Sequence, residues 1–184
     1  MEMPGPGRPT VSLSVCLLLD PAAEAAVRGL WRRLEAAGVP TLLTHTHGRH
    51  VPHLTLASVH HDGAEAVLSA LAALPVAPRV EVSLDALGMF PRSRSWLAVP
   101  ADAGLLARHA RAVEAVRAAG AQVHGHYLPG AWLPHLTLAP RMRVEQVATL
   151  ARHAFEVLPL LASLERAAVV ETGTGRLHPL PHLV

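Results

Sequence analysis

The chain contains no lysine; its 16 basic residues are all arginine. This absence excludes adenylylated-lysine ligation, Schiff-base chemistry and the lysine of a phosphate-binding loop. Cysteine is nearly absent as well. Cys16 stands alone, so no disulfide can form within the chain. It sits in an apolar run and reads as a buried, inert thiol in a chain compatible with a reducing cytoplasm. Aromatic residues make up 3% of the sequence, which leaves Ala, Leu and Val to carry the packing. No apolar run reaches the ~18–20 residues that span a bilayer, and no glycine-rich dinucleotide or phosphate loop is present. A soluble, cytoplasmic protein with neither membrane nor protein partner is expected.

What is present suits one domain. The chain has 184 residues, 51% of them apolar, enough for a sizeable core. The formal net charge is only +2, a weak argument for a polyanionic partner, while 13 histidines add positive charge below pH ~6.5. Arginine is always charged and forks onto phosphate oxygens.

Residues 1–10, with Pro4, Gly5, Pro6, Gly7 and Pro9, read as a flexible tail. Arg8 followed by residues 11–19 loosely mimics the apolar region of a signal peptide. However, Ser12 and Ser14 alternate with Leu13 and Val15 at the period of a strand. Asp20 caps a helix with Pro21 at its first position. Val27, Leu30, Trp31 and Leu34 form that helix's apolar stripe, and Gly38 ends it. Residues 41–59 read as extended. Asp62 is expected to cap a second helix with Val67, Leu68, Leu71 and Leu74 inward. Val80, Val82 and Leu84 alternate as a strand. A loop at residues 91–94 leads to a strand at 96–99. Asp102 caps a helix over about 102–119, with Leu105, Leu106, His109, Val113 and Val116 inward. Residues 121–132 are irregular, 143–156 form a fourth helix, and 160–172 and 177–184 close as paired strands. The pattern is α+β and duplicated within one bilobed domain over residues 11–184; it lacks the regular alternation of a doubly wound sheet.

One phrase occurs twice. Val51-Pro52-His53-Leu54-Thr55-Leu56-Ala57 and Leu133-Pro134-His135-Leu136-Thr137-Leu138-Ala139 differ only in their first residue. In a strand, residues two apart share a face. His53 and Thr55 therefore point one way and Leu54 and Leu56 the other, and the same holds for His135, Thr137, Leu136 and Leu138. If the two halves meet about a pseudo-twofold axis, a single cleft receives two imidazoles and two hydroxyls. Cleavage of a phosphodiester by water requires a base for the nucleophile and an acid for the leaving alkoxide, and histidine serves as either near neutral pH. The threonines would hold non-bridging oxygens. No metal or other cofactor is required.

This constellation resembles the 2H phosphoesterase superfamily, defined by two His-x-Thr/Ser-x motifs, and within it the bacterial 2′-5′ RNA ligase-like proteins. The resemblance implies a bilobed, pseudo-symmetric α+β fold with two antiparallel sheets flanking a central cleft and helices outside. It also implies RNA ends or small cyclic nucleotides as substrates: opening of 2′,3′-cyclic phosphates, with 2′-5′ linkages or ADP-ribose cyclic phosphate as alternatives. The roles it carries over fall on His53, Thr55, His135 and Thr137, with His135 activating water and His53 serving the leaving group.

Around the motifs, Trp132 and Tyr127 are candidates to stack a base at the cleft rim. Phe90 is a third candidate, and Arg92 and Arg94 are candidates for phosphate contact. The segment Thr44-His45-Thr46-His47-Gly48-Arg49-His50 admits a zinc reading but reads more simply as a polar loop, with Arg49 a further candidate for phosphate. His124 and His126 precede the second motif in the same manner. A non-catalytic RNA-end-binding protein remains the alternative to an enzyme.

Overall fold

The computed structural model describes residues 11–91 and 94–184; the proposed tail at 1–10 and Arg92 lie outside them. The chain runs β1 (Val11–Leu19), α1 (Pro21–Ala36), β2 (His53–His61), α2 (Ala64–Ala72), β3 (Val80–Leu84), β4 (Leu87–Phe90), β5 (Arg94–Ala98), α3 (Ala103–Ala118), β6 (Gln122–Val123), β7 (His135–Ala139), α4 (Val147–Phe155), β8 (Leu160–Glu171) and β9 (Leu177–Pro179). The strands form two antiparallel sheets of unequal size. The larger has the order β3-β8-β1-β2-β6, with β9 added on β8, and the smaller is β4-β5-β7. The α+β class with two antiparallel sheets is the one expected. The two copies of the repeated phrase fall in different sheets, yet β2 and β7 lie side by side where the sheets meet.

Asp20 starts α1 as expected. Its Oδ1 accepts from the backbone N–H groups of Ala22 and Ala23, and its Oδ2 accepts from Ser163 on β8 at 2.8 Å. One carboxylate thus caps the helix and ties it to the sheet. Val27, Leu30, Trp31 and Leu34 are all buried. They pack with Leu13, Val15, Leu17, Leu54, Leu56, Leu136 and Leu138 in one apolar core that draws on both sheets. The opposite face of the larger sheet carries a small second cluster of Cys16, Leu18 and Ala168, bordered by Val51 and Val170.

Several expectations need correction. Residues 41–59 are not extended throughout: the chain turns over residues 42–48, and strand begins only at His53. The turn is pinned by the Glu35 carboxylate, whose Oε1 accepts from Thr41 Oγ1, Thr44 N and Thr44 Oγ1. Thr46 and Gly48 adopt positive φ within it. Asp62 does not cap α2. Gly63 holds the cap position without a side-chain bond, and the His61 imidazole engages the Gly63 backbone instead. Leu106 is 47% exposed rather than inward, because it lies about 100° round the helix from Leu105. β4 was not foreseen. The closing strand stops at Pro179 because Pro179 and Pro181 have no N–H to extend a ladder. The chain beyond it still buries Leu180, Leu183 and Val184. The fourth helix is α-helical only from Val147, after a 3-10 turn at Val144–Gln146.

No helix among the described residues is long and apolar enough to cross a membrane.

Candidate active site

Alternation along β2 and β7 separates the side chains as the repeat requires. Leu54 and Leu56 are fully buried, whereas His53 and Thr55 lie half-buried on the opposite face. Leu136 and Leu138 go into the core, whereas His135 and Thr137 do not. Register places His53 beside Leu18 and Thr55 beside Cys16 on β1. On the other side, Thr137 pairs with Trp96 and His135 with Ala98 on β5. The floor of the cleft is therefore apolar and its functional groups are few.

The two histidines are held identically. His53 Nδ1 lies 2.6 Å from the Val51 carbonyl, and His135 Nδ1 lies 2.7 Å from the Leu133 carbonyl. A carbonyl oxygen only accepts, so each Nδ1 carries the proton and donates it. Each neutral ring therefore has its lone pair on Nε2, the atom an acid or base would use. The prolines explain the geometry. Pro52 and Pro134 force the residue before them toward extended backbone, which sets its carbonyl two positions ahead of the histidine. The signal was in the repeated phrase, in the proline rather than in the motif proper.

Burial lowers the pKa of both rings from the usual histidine value. For His53 the Val51 bond opposes this, and the nearby charge of His135 adds to it. For His135 the Leu133 bond opposes it and Arg94 adds to it. The charge of His135 reaches His53, so the two motif rings lie near each other. Cys16, under the cleft, is pushed up to about 12 by burial, with Thr55 acting the other way. It is an inert thiol, as read from the sequence. The Tyr127 phenol is also raised, by burial first and then by Cys16, while Thr55 and Arg94 lower it. Tyr127, Thr55 and Arg94 thus converge on one side of the cleft.

Aromatic rings frame His135. Phe90 meets it edge-on at 5.0 Å between centroids, and Trp96 lies 5.8 Å away. Trp96 was missed as a site residue, although its alternation with buried Ser95 and Leu97 placed it on the face of His135. It crosses β4 at Gly88, where a Cβ would overlap the indole. The Trp96 Nε1 is buried and has no partner among the described residues. Trp132 occupies a different position. Its indole stacks on His109 at 4.1 Å and 1° between planes, and its Nε1 donates to the Thr55 carbonyl at 3.0 Å. One face of that ring is therefore already covered. Arg94 is exposed opposite Phe90.

The histidine-rich segment borders the site. His50 is lowered to about 4, by burial first and then by His47, His53 and His45. Its Nε2 lies 3.0 Å from Thr46 Oγ1, and His47 Nδ1 accepts from Arg49 N. Among the described residues no group of three or more His, Cys, Asp or Glu is arranged to hold a metal ion. His124 and His126 are exposed, their rings 5.2 Å apart.

Comparison with known proteins agrees with this geometry. No curated protein matches the sequence. Among solved structures, one described as a phosphoesterase is 20% identical with a TM-score of 0.60, and the alignment covers 94% of this chain and 96% of that one. LigT of E. coli in complex with 3′-AMP is 17% identical with a TM-score of 0.62 over 93% and 95% of the two chains. Its complex with NADP+ gives 21% and 0.58 over 92% and 94%. These likenesses concern the fold. The sequence model of the 2′-5′ RNA ligase superfamily matches residues 14–176, a span that contains both motif strands. With that match, the paired His-x-Thr strands and the two-sheet fold, the chain belongs to the 2′-5′ RNA ligase superfamily of 2H phosphoesterases.

Proposed function

We propose that the protein is a phosphodiesterase that opens 2′,3′-cyclic phosphate ends of RNA or nucleotides by two-histidine acid–base catalysis. Membership of the superfamily supports phosphodiesterase or RNA ligase-like activity in general. The observation that carries the finer reading is the matched pair of Nδ1–carbonyl bonds, which leaves His53 Nε2 and His135 Nε2 free on the cleft face. LigT, the E. coli protein of like fold, holds 3′-AMP in one structure.

In the proposed step, His135 Nε2 takes a proton from water as the water oxygen bonds to phosphorus. The P–O3′ bond breaks, and His53, protonated on both nitrogens in the substrate complex, gives its Nε2 proton to the departing 3′ oxygen, leaving a 2′-phosphate. The Arg94 charge disfavours protonation of His135, which suits it as the base. Thr55 and Thr137 donate hydrogen bonds to the non-bridging oxygens, and Phe90 and Trp96 line the side from which water attacks, around His135. No metal takes part. With an RNA 5′-hydroxyl in place of water as the nucleophile, the same step would join ends through a 2′-5′ linkage.

The test is a short RNA ending in 2′,3′-cyclic phosphate, incubated with the protein and EDTA. A ring-opened monoester, absent with His135→Ala, supports the proposal. Tight binding of that RNA without product would favour an RNA-end-binding protein. Turnover confined to 2′-5′ oligonucleotides or ADP-ribose cyclic phosphate would replace the substrate.

A further inference from the structure

Away from the imidazoles the protein has a cavity of about 790 Å³, walled by Glu35 and Thr44 on one side and by Arg141, Arg143 and Gln146 on the other. Its volume falls in the range of small-molecule sites. Most of its polar groups are already engaged. Glu35 Oε1 takes the three bonds that pin the turn at Thr41 and Thr44. Gln146 accepts from Arg143 N and donates to the Gly38 carbonyl. The exceptions are the two exposed guanidiniums: neither Arg141 nor Arg143 pairs with a carboxylate among the described residues. Glu35 leaves the arginine side as the place for an anion.

The lining of the cavity is joined to the motif strands along the chain in two places. From Thr137 the chain runs along β7 to Ala139 and through Pro140 to Arg141, at most about 13 Å at the rise of a strand. From His53 it runs back to His50, whose ring lies 5.9 Å from that of His45, the neighbour of Thr44. Arg141 is close enough to His45 for its charge to act on that imidazole. A chain extending from a phosphate between the two histidines would pass His45 and enter the arginine-lined cavity.

We infer that this cavity binds the backbone phosphates of the nucleotides 5′ to the cyclic end, through Arg141 and Arg143. This deepens the proposed function and rests on it. Arginine suits the task because its fork matches phosphate oxygens and its charge does not titrate.

The experiment compares a mononucleotide 2′,3′-cyclic phosphate with a tetranucleotide ending in the same group, using the wild-type chain and an Arg141→Gln/Arg143→Gln variant. Circular dichroism checks folding. The wild type should favour the tetranucleotide by roughly ten-fold in kcat/KM. The variant should lose most of that margin while turning over the mononucleotide within about two-fold of wild type. Equal wild-type turnover of both substrates, or an equal loss on both in the variant, overturns the inference. If the wild type opens neither, the catalytic proposal fails and binding decides the subsite separately. Fluorescence anisotropy of a labelled tetranucleotide with a terminal 2′-phosphate should then show weaker binding by the variant. Its salt slope should be shallower by about 0.7 per lost phosphate contact. Unchanged affinity and slope overturn the subsite.

Discussion

Trp132 donates its indole N–H to the carbonyl of Thr55 at 3.0 Å, so the approach to the second motif is fastened to the strand that carries the first. The ring is stacked on His109, whose Nε2 reaches the Tyr127 carbonyl at 2.9 Å. Trp132→Phe keeps an aromatic face and removes only the bond. It should cost about 1 kcal/mol or more of stability and lower kcat with little change in KM. If activity depended on stacking by Trp132 alone, the Phe variant would behave as wild type and Trp132→Leu would not.

Removing either motif imidazole tests the acid–base proposal. His53→Ala and His135→Ala should each reduce kcat by about 10²–10⁴, with the circular dichroism spectrum unchanged. Near-normal turnover in both would end the two-histidine reading.

The pH response follows from the direction of the histidine shifts. Both motif rings are lowered in the folded protein, chiefly by burial, so both are neutral at pH 7. The free-enzyme acid is then in its active form mainly below pH 6.5, and kcat/KM should rise as pH falls toward that limb. A bound phosphate ester favours the charged imidazole, so substrate or inorganic phosphate should bind with proton uptake. Calorimetry in buffers of different ionisation enthalpy measures this directly; an exchange of zero protons at pH 7 would contradict it.

His50 gives a stability counterpart. Its pKa is lowered to about 4 when folded, while the unfolded ring titrates near the ordinary value. Between those limits the unfolded chain binds more protons, so stability rises with pH across the window. Denaturant unfolding between pH 4 and 7 should show that slope, and His50→Gln should flatten it.

Gly88→Ala places a methyl group in the Trp96 ring. Overpacking of this kind costs about 1–3 kcal/mol. Because Trp96 packs near His135, activity should fall along with the melting temperature. A variant with wild-type Tm would show that the indole has room to move.

The sequence made some features legible because they are local. Asp20-Pro21 announces the cap of α1, and the repeated phrase sorts Leu54 and Leu136 from His53 and His135 by alternation alone. Features that depend on distant partners were not legible. The turn at 42–48 exists because Glu35, on another element, receives its donors. Leu106 carries the right residue type for the core, but the packing of α3 puts its position at the margin. β4 is short and made visible only by its partner: Gly88 pairs with Trp96, and neither residue announces the other in sequence. Nothing in the sequence marks Arg141 and Arg143; the fold sets them across from Glu35 and Thr44.

β2 pairs with β1 and β6, and β7 with β5; among the described residues no backbone ladder joins β2 to β7. The gap between the two motif strands thus lies along a seam between two independently hydrogen-bonded plates. Its width is governed by side-chain contacts such as the Trp132 strut, and widening it breaks no strand pairing. Separation of the two imidazoles is therefore set by packing across the seam, through the shared apolar core and the Trp132 bond, and not by a strand ladder. On the proposed mechanism, phosphoesters of different bulk would be gripped by the same four motif residues through a small change in the angle between the plates.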